Sequence, residues 1–104
     1  MITVKSIYKQ KQLTSLIVSG HANYKAKGED IVCAAVSTAT ILTANAIEHL
    51  KLDQFIDLDV REGYFNICLK DTNDIVIGLL KNLEYTLHEL EKQYPKYIKN
   101  QKEG

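Results

Sequence analysis

One histidine and one cysteine stand at opposite ends of a short polar stretch. His21 follows Gly20 and a strand-like apolar run, and Cys33 lies in a second apolar run, Ile31-Val32-Cys33-Ala34-Ala35-Val36-Ser37. A thiol becomes a strong nucleophile when an imidazole takes its proton, so these two residue types, brought together by folding, suit covalent catalysis at a carbonyl. The imidazole would then return the proton to the leaving amine. Asp30 reads as a helix N-cap whose side-chain oxygen accepts from the first-turn amides. Cys33 then falls in that first turn, where unpaired N–H groups and the positive end of the helix dipole favour a thiolate. The same amides would face the oxyanion of a tetrahedral intermediate. Ser37, four residues after Cys33, shares its helix face and can orient His21 or touch substrate. Asp30 can hold the imidazole as well as cap the helix, because one carboxylate accepts several hydrogen bonds. Asn23, Tyr24 and Gly28 are the candidates for substrate contact in the intervening loop.

Blander readings fit the same spacing. A cysteine inside Ile-Val-Cys-Ala-Ala is the common pattern of a buried core residue, and a loop histidine is commonly solvated. Metal binding by His21 and Cys33 lacks further clustered ligands, so neither a metal nor a cofactor is expected. Cys68 reads as an inert strand residue. His49 suits the negative end of a helix, and His88 reads as exposed or at an interface.

The elements that must position His21 and Cys33 are legible from periodicity. Ile2 to Tyr8 alternates and is rich in β-branched residues, so it reads as a strand, and Leu13 to Ser19 as a second, more buried one. Lys9 to Gln12 is the turn between them. A polar loop from His21 to Glu29 leads into a helix with apolar positions at Val32, Val36, Ala39, Thr43, Ala46, Ile47 and Leu50. Its threonines lower helix propensity, so it must rely on burial. Phe55 to Val60 and Tyr64 to Leu69 alternate around Arg61-Glu62-Gly63 and form a hairpin. Asp71 to Asp74 starts a second helix, with Val76, Leu79, Leu80, Leu83, Leu87, Leu90 and Tyr94 on one face. Pro95 stops it. Tyr97 and Ile98 make a short last strand, and the tail after Asn100 is expected to fray. The order is β-β-α-β-β-α with a final β: an α+β fold, two helices packed on a mainly antiparallel sheet.

Size and charge bound the rest. At 104 residues the chain is expected to be one domain, residues 1–104. Small domains gain stability from self-association, which favours a homodimer. Thirteen acidic and thirteen basic side chains balance, which argues against direct nucleic-acid binding through bulk charge. No apolar run reaches the ~18 residues that span a bilayer, and the N-terminus does not read as a signal peptide. A cytoplasmic, non-membrane protein is expected, in which Cys33 and Cys68 stay reduced.

Gly20-His21-Ala22 followed by Gly28-x-Asp30-Ile31-Val32-Cys33-Ala34-Ala35-Val36-Ser37 resembles the paired signature of the ribosomal-processing cysteine protease family, Prp. A weaker resemblance extends over the chain to Gln93-Tyr94-Pro95 and Tyr97-Ile98. It implies an α+β homodimeric cysteine endopeptidase. By it Cys33 is the nucleophile, His21 its partner, and Asp30 and Ser37 supporting residues. The implied substrate is the precursor of large-subunit ribosomal protein twenty-seven. Its N-terminal extension would be removed after a hydrophobic, phenylalanine-type residue. Thr86 stands where the family often has glycine, which bears on packing in the last helix. The alternative reading is a non-enzymatic ribosome-assembly or peptide-binding module.

Overall fold

The computed structural model describes residues 1–20 and 27–104, with the side chains of 27–30 outside the description. Strands β1 (Ile2–Lys9) and β2 (Gln12–Ser19) precede helix α1 (Lys27–His49). A short 3-10 turn, Asp53–Phe55, leads to β3 (Ile56–Arg61) and β4 (Tyr64–Leu69). Helix α2 (Asp74–Gln93) and β5 (Ile98–Glu103) complete the chain. The five strands lie in the order β3-β4-β2-β1-β5. All neighbours are antiparallel except β1 and β5, which run parallel. The expected α+β architecture is therefore the observed one.

The pleat explains which side is core. Val4 on β1, Leu16 on β2 and Ile67 on β4 are fully buried, and the register places Leu16 opposite Ile67. Alternate residues such as Lys5, Ile17 and Asn66 therefore point to the other sheet face. On the core side α2 supplies Val76, Leu80, Leu83 and Leu87, and α1 supplies Val32, Val36 and Ile47. Burying a Leu- or Val-sized side chain is worth about 1.5–3 kcal/mol, so these rows account for much of the packing energy.

Local signals act as their chemistry dictates. Asn73 caps α2, its Oδ1 accepting from the amides of Ile75 and Val76 at 3.0 Å each. At the end of α1 the Leu52 amide reaches the Ile47 carbonyl and the Lys51 amide the Glu48 carbonyl, both at 2.9 Å. This is a Schellman stop, with Lys51 at φ 61° where glycine is the usual residue. It turns Leu50 outward to 54% exposure, against its expected place on the buried face, while Thr40 is buried instead. The Thr86 hydroxyl bonds back to the Asn82 carbonyl at 2.9 Å.

Three expectations are corrected. The tail does not fray: β5 pairs with β1 from Ile98 to Glu103. Ile98 is fully buried, and the Asn100 amide and side chain both donate to Glu91 Oε1, at 2.7 and 2.9 Å. Second, α1 begins at Lys27, so Asp30 lies within the helix and does not cap it. Third, Ile31–His49, with mean hydropathy 1.5, is by length and composition long and apolar enough to cross a membrane. Interspersed Ser, Thr and Asn hid that stretch from a search for unbroken apolar runs. Val32, Val36 and Ile47 of this stretch are buried against the rest of the fold.

Candidate active site

Cys33 lines a cleft of about 280 Å³ between α1, the end of β2 and the β3–β4 hairpin. The helix contributes Val36, Ser37, Thr40 and Ile41 beside the cysteine, all within two turns of it. Spacings of three, four and seven residues put Cys33, Val36, Ser37 and Thr40 on one helix face. The thiol is half-buried and free of any disulfide. It is therefore accessible to a substrate carbonyl from the cleft, while its helix holds it in place.

The opposite wall comes from the hairpin. Val60 and Phe65 are directly paired across β3 and β4, and the turn between them brings Arg61, Glu62, Gly63 and Tyr64 to the rim. The Arg61 guanidinium sits 4.4 Å from the Tyr64 ring centroid and 3.2 Å from the Asp59 carboxylate. These two contacts draw the guanidinium toward its own hairpin.

Gly20 closes the end of the cleft. Its amide donates to the Gly63 carbonyl at 3.0 Å, which joins the end of β2 to the hairpin turn. Its φ of 121° disfavours any side chain, and a Cβ there would run into the Met1 carbonyl oxygen. Gly20 thus meets two needs that only glycine fills: an unusual backbone angle and a close approach to β1.

The expected site residues divide into three groups. Cys33 and the exposed Ser37 lie on one cleft wall, as their spacing implied. Gly28 and Asp30 fall on the backbone of the first turn of α1. His21, Asn23 and Tyr24 lie outside the described residues. The helix start changes the electrostatics expected around Cys33. With Lys27 first, the unpaired amides belong to the first turn, before Asp30, and Cys33 is in the next turn. The helix-end field falls off within the first turn, so Cys33 receives less of it than an Asp30 cap would give.

Sequence reasoning missed Thr40, Ile41 and the hairpin rim. Arg61-Glu62-Gly63 was legible as a turn, but its place beside Cys33 depends on β4 pairing with β2. Cys68 lies away from the cleft: its register partners are Ser15 and Asp57, on the sheet face opposite Phe65 and Ile67. His49 and His88 are exposed on the helices. Among the described residues no three His, Cys, Asp or Glu side chains gather as a metal site.

Known proteins share this arrangement over nearly their full length. The family described as cysteine protease Prp matches residues 1–99. The ribosomal processing cysteine protease Prp of Staphylococcus aureus (strain Mu50 / ATCC 700699) is 33% identical over 102 residues, which covers 95% of this chain and 96% of that protein. The crystal structure of the essential ribosomal processing protease Prp from S. aureus with a substrate peptide superposes with a TM-score of 0.88. It is 30% identical, covering 98% of this chain and 99% of that one. The S. aureus protease with a covalently linked product peptide gives a TM-score of 0.86 at the same identity and coverage.

Proposed function

This chain belongs to the cysteine protease Prp family, and from that premise we propose that it is a ribosomal-processing endopeptidase working through Cys33 and His21. That it is a cysteine peptidase follows from the family, which sets aside the non-enzymatic alternative. The observation that carries the residue assignment is the free, half-buried Cys33 thiol in the wall of a cleft of about 280 Å³ between α1 and the β3–β4 hairpin. Cys68, the other cysteine, lies on the opposite sheet face.

In the first step His21 takes the Cys33 proton and the sulfur attacks the scissile carbonyl. A C–S bond forms, the carbonyl π pair moves to oxygen, and the tetrahedral intermediate collapses with cleavage of the C–N bond. The imidazolium returns its proton to the departing amine. Water, deprotonated by His21, then attacks the thioester and releases the carboxylate product and the thiol. With Cys33 a turn inside α1, the imidazole supplies most of the activation that a helix end would otherwise share. Asp30 and Ser37 support the pair, and Asn23, Tyr24 and Gly28 contact the peptide.

The substrate proposed is a ribosomal protein precursor. Its N-terminal extension, that of large-subunit protein twenty-seven, is removed after a hydrophobic, phenylalanine-type residue. The substrate peptide held by the S. aureus relative supports a peptide substrate here. The enzyme works in the cytoplasm as a homodimer, with residues 1–104 as one protease domain and no cofactor.

The test is cleavage of a peptide spanning the extension junction, followed by mass spectrometry. The parent protein is expected to cut once, after the hydrophobic residue. Cys33→Ala should be inactive, and His21→Ala should fall nearly as far. Undiminished cleavage by Cys33→Ala would sink the assignment.

A further inference from the structure

The two edges of the sheet are finished differently. At one edge β5 carries Lys99, Asn100, Gln101, Lys102 and Glu103 after Ile98, and charged side chains on an edge strand discourage further pairing. At the other edge β3 leaves Leu58 46% and Val60 58% exposed. Their register partners are Ile67 and Phe65 of β4, so both lie on the sheet face that carries the core. We propose that this free edge of β3 pairs with the main chain of the peptide substrate, which joins the sheet as a sixth strand leading out of the Cys33 cleft. The proposal rests on the peptidase reading above and adds to it how substrate residues beyond the cleft are held.

Main-chain alternation shows which groups are free. The Phe55 carbonyl accepts from the Lys70 amide at 2.7 Å, immediately outside the Ile56 and Leu69 pair. Bonded and non-bonded pairs alternate along an antiparallel ladder. Asp57 with Cys68, Asp59 with Asn66 and Arg61 with Tyr64 are therefore the bonded pairs. The N–H and C=O groups of Ile56, Leu58 and Val60 point away from β4. Among the described residues no strand lies on that side. Leu58 and Val60 thus present free main chain and exposed apolar side chains together.

Continuity selects the occupant. Val60 and Arg61 also line the cleft that holds Cys33, so one way out of the cleft runs along β3. Extended peptides bind sheet edges through main-chain hydrogen bonds, with alternate side chains giving preference. A peptide strand here would exchange bonds with Val60 and then with Leu58, two residues further from the cleft. A second copy of the chain fits this edge less well. Two copies paired antiparallel about Leu58 would set Asp57 against Asp59, and paired about Asp59 would set that carboxylate against its own copy. Arg61 and Lys70 offset part of this repulsion, so the test reads self-association alongside kinetics.

The test uses the parent protein and a peptide spanning the extension junction, N-methylated at one amide at a time. Each methyl removes one donor, and an ordinary hydrogen bond is worth roughly 2–10-fold. Along one flank of the peptide, kcat/KM should fall by that factor at every second amide, chiefly through KM. Losses confined to the amides next to the scissile bond, or without a period of two, overturn the proposal. Leu58→Pro removes one outward N–H and keeps the bonds to β4, a change that edge strands tolerate. It should reduce the advantage of the long peptide over one shortened on that flank, again roughly 2–10-fold. An unchanged advantage overturns the proposal. So does an unchanged advantage with lost self-association in sedimentation velocity, which would place a second copy on the edge. The methyl scan needs no variant, so it decides the matter if Leu58→Pro does not fold. Cleavage by Cys33→Ala would refute the peptidase assignment itself, whereas an inert Cys33→Ala with no period in the scan would refute the edge alone.

Discussion

The two helices lie against the same sheet and differ in almost every respect that governs stability. α2 is capped by Asn73, buries four large aliphatic residues, and is tied to the strands by Glu84 and Glu91. Tyr8 donates to the Glu84 carboxylate, with oxygen separations of 2.6 and 2.7 Å. Burial, then that hydrogen bond and charge, pushes the phenol up to about 12. α1 carries small side chains, buries Val32, Val36, Thr40 and Ile47, and leaves Ile31, Ile41 and Leu42 exposed. The difference teaches a division of labour. The α2 side holds the sheet rigid, and the α1 side keeps a cleft open beside a thiol. A cleft requires surfaces that are not packed, so the helix that lines it cannot also be the best-packed one.

The largest effect that tests this division is on activity. Cys33→Ala should lower peptide cleavage by roughly 10⁴-fold or more, with the melting temperature within a few degrees of the parent. A large fall in stability would show that α1 is core at this point. Next in size is a pair of leucines. Leu83→Ala on α2, 2% exposed in the parent, should cost about 2–5 kcal/mol in denaturant unfolding. Leu42→Ala on α1, 67% exposed, should change stability by no more than about 0.5 kcal/mol. Equal costs would break the comparison.

Helix ends give a smaller and opposite pair. Asn73→Ala removes two capping bonds from α2 and should cost about 1 kcal/mol. Lys51→Gly relieves a positive φ at the end of α1 and should add up to about 1 kcal/mol. Calorimetry of the two variants should show melting temperatures moving in opposite directions.

The smallest effect is a pH dependence on the α2 side. Glu91 titrates below its ordinary 4.5. The side chain of Asn100 is the chief cause, helped by its amide and by the charges of Lys99 and His88, with partial burial opposing. A carboxyl lowered by folding stabilises the native state above its unfolded pKa, and that contribution is lost as pH falls through the folded value. The stability advantage of the parent over Glu91→Gln should therefore be full above pH 4.5 and shrink below it. A constant difference down to acid unfolding would show that Glu91 acts through shape alone.

Legibility followed the strength of local patterns. The Asn73 start, the Leu80-Leu83-Leu87 stripe and the Phe65-Ile67 alternation were readable because each is a short-range repeat with a strong energetic consequence. The start of α1 was not, because Asp30 is a good cap in isolation and nothing before it competes clearly in sequence. The length of β5 was missed, though not its start near Ile98, because Lys99, Gln101 and Lys102 carry no apolar alternation. Its strand exists through main-chain pairing with β1 and through Glu91, which accepts from Asn100 nine residues later. At the site, Cys33 and Ser37 were legible from helical spacing, whereas the rim from Arg61 to Tyr64 was not.

By itself the sequence determined the element types, their order, the inward residues of α2 and the motif that carries the chemistry. These depend on neighbours within about one or two turns or strand repeats, where side-chain direction is set by backbone geometry. Only the tertiary structure decided that β4 lies beside β2, that the hairpin turn therefore faces Cys33, and that Thr40 lines the same cleft. Those facts arise from pairings between residues far apart in the chain, stabilised by burial that no local window contains. They turn a reactive residue on a helix into a pocket with a size.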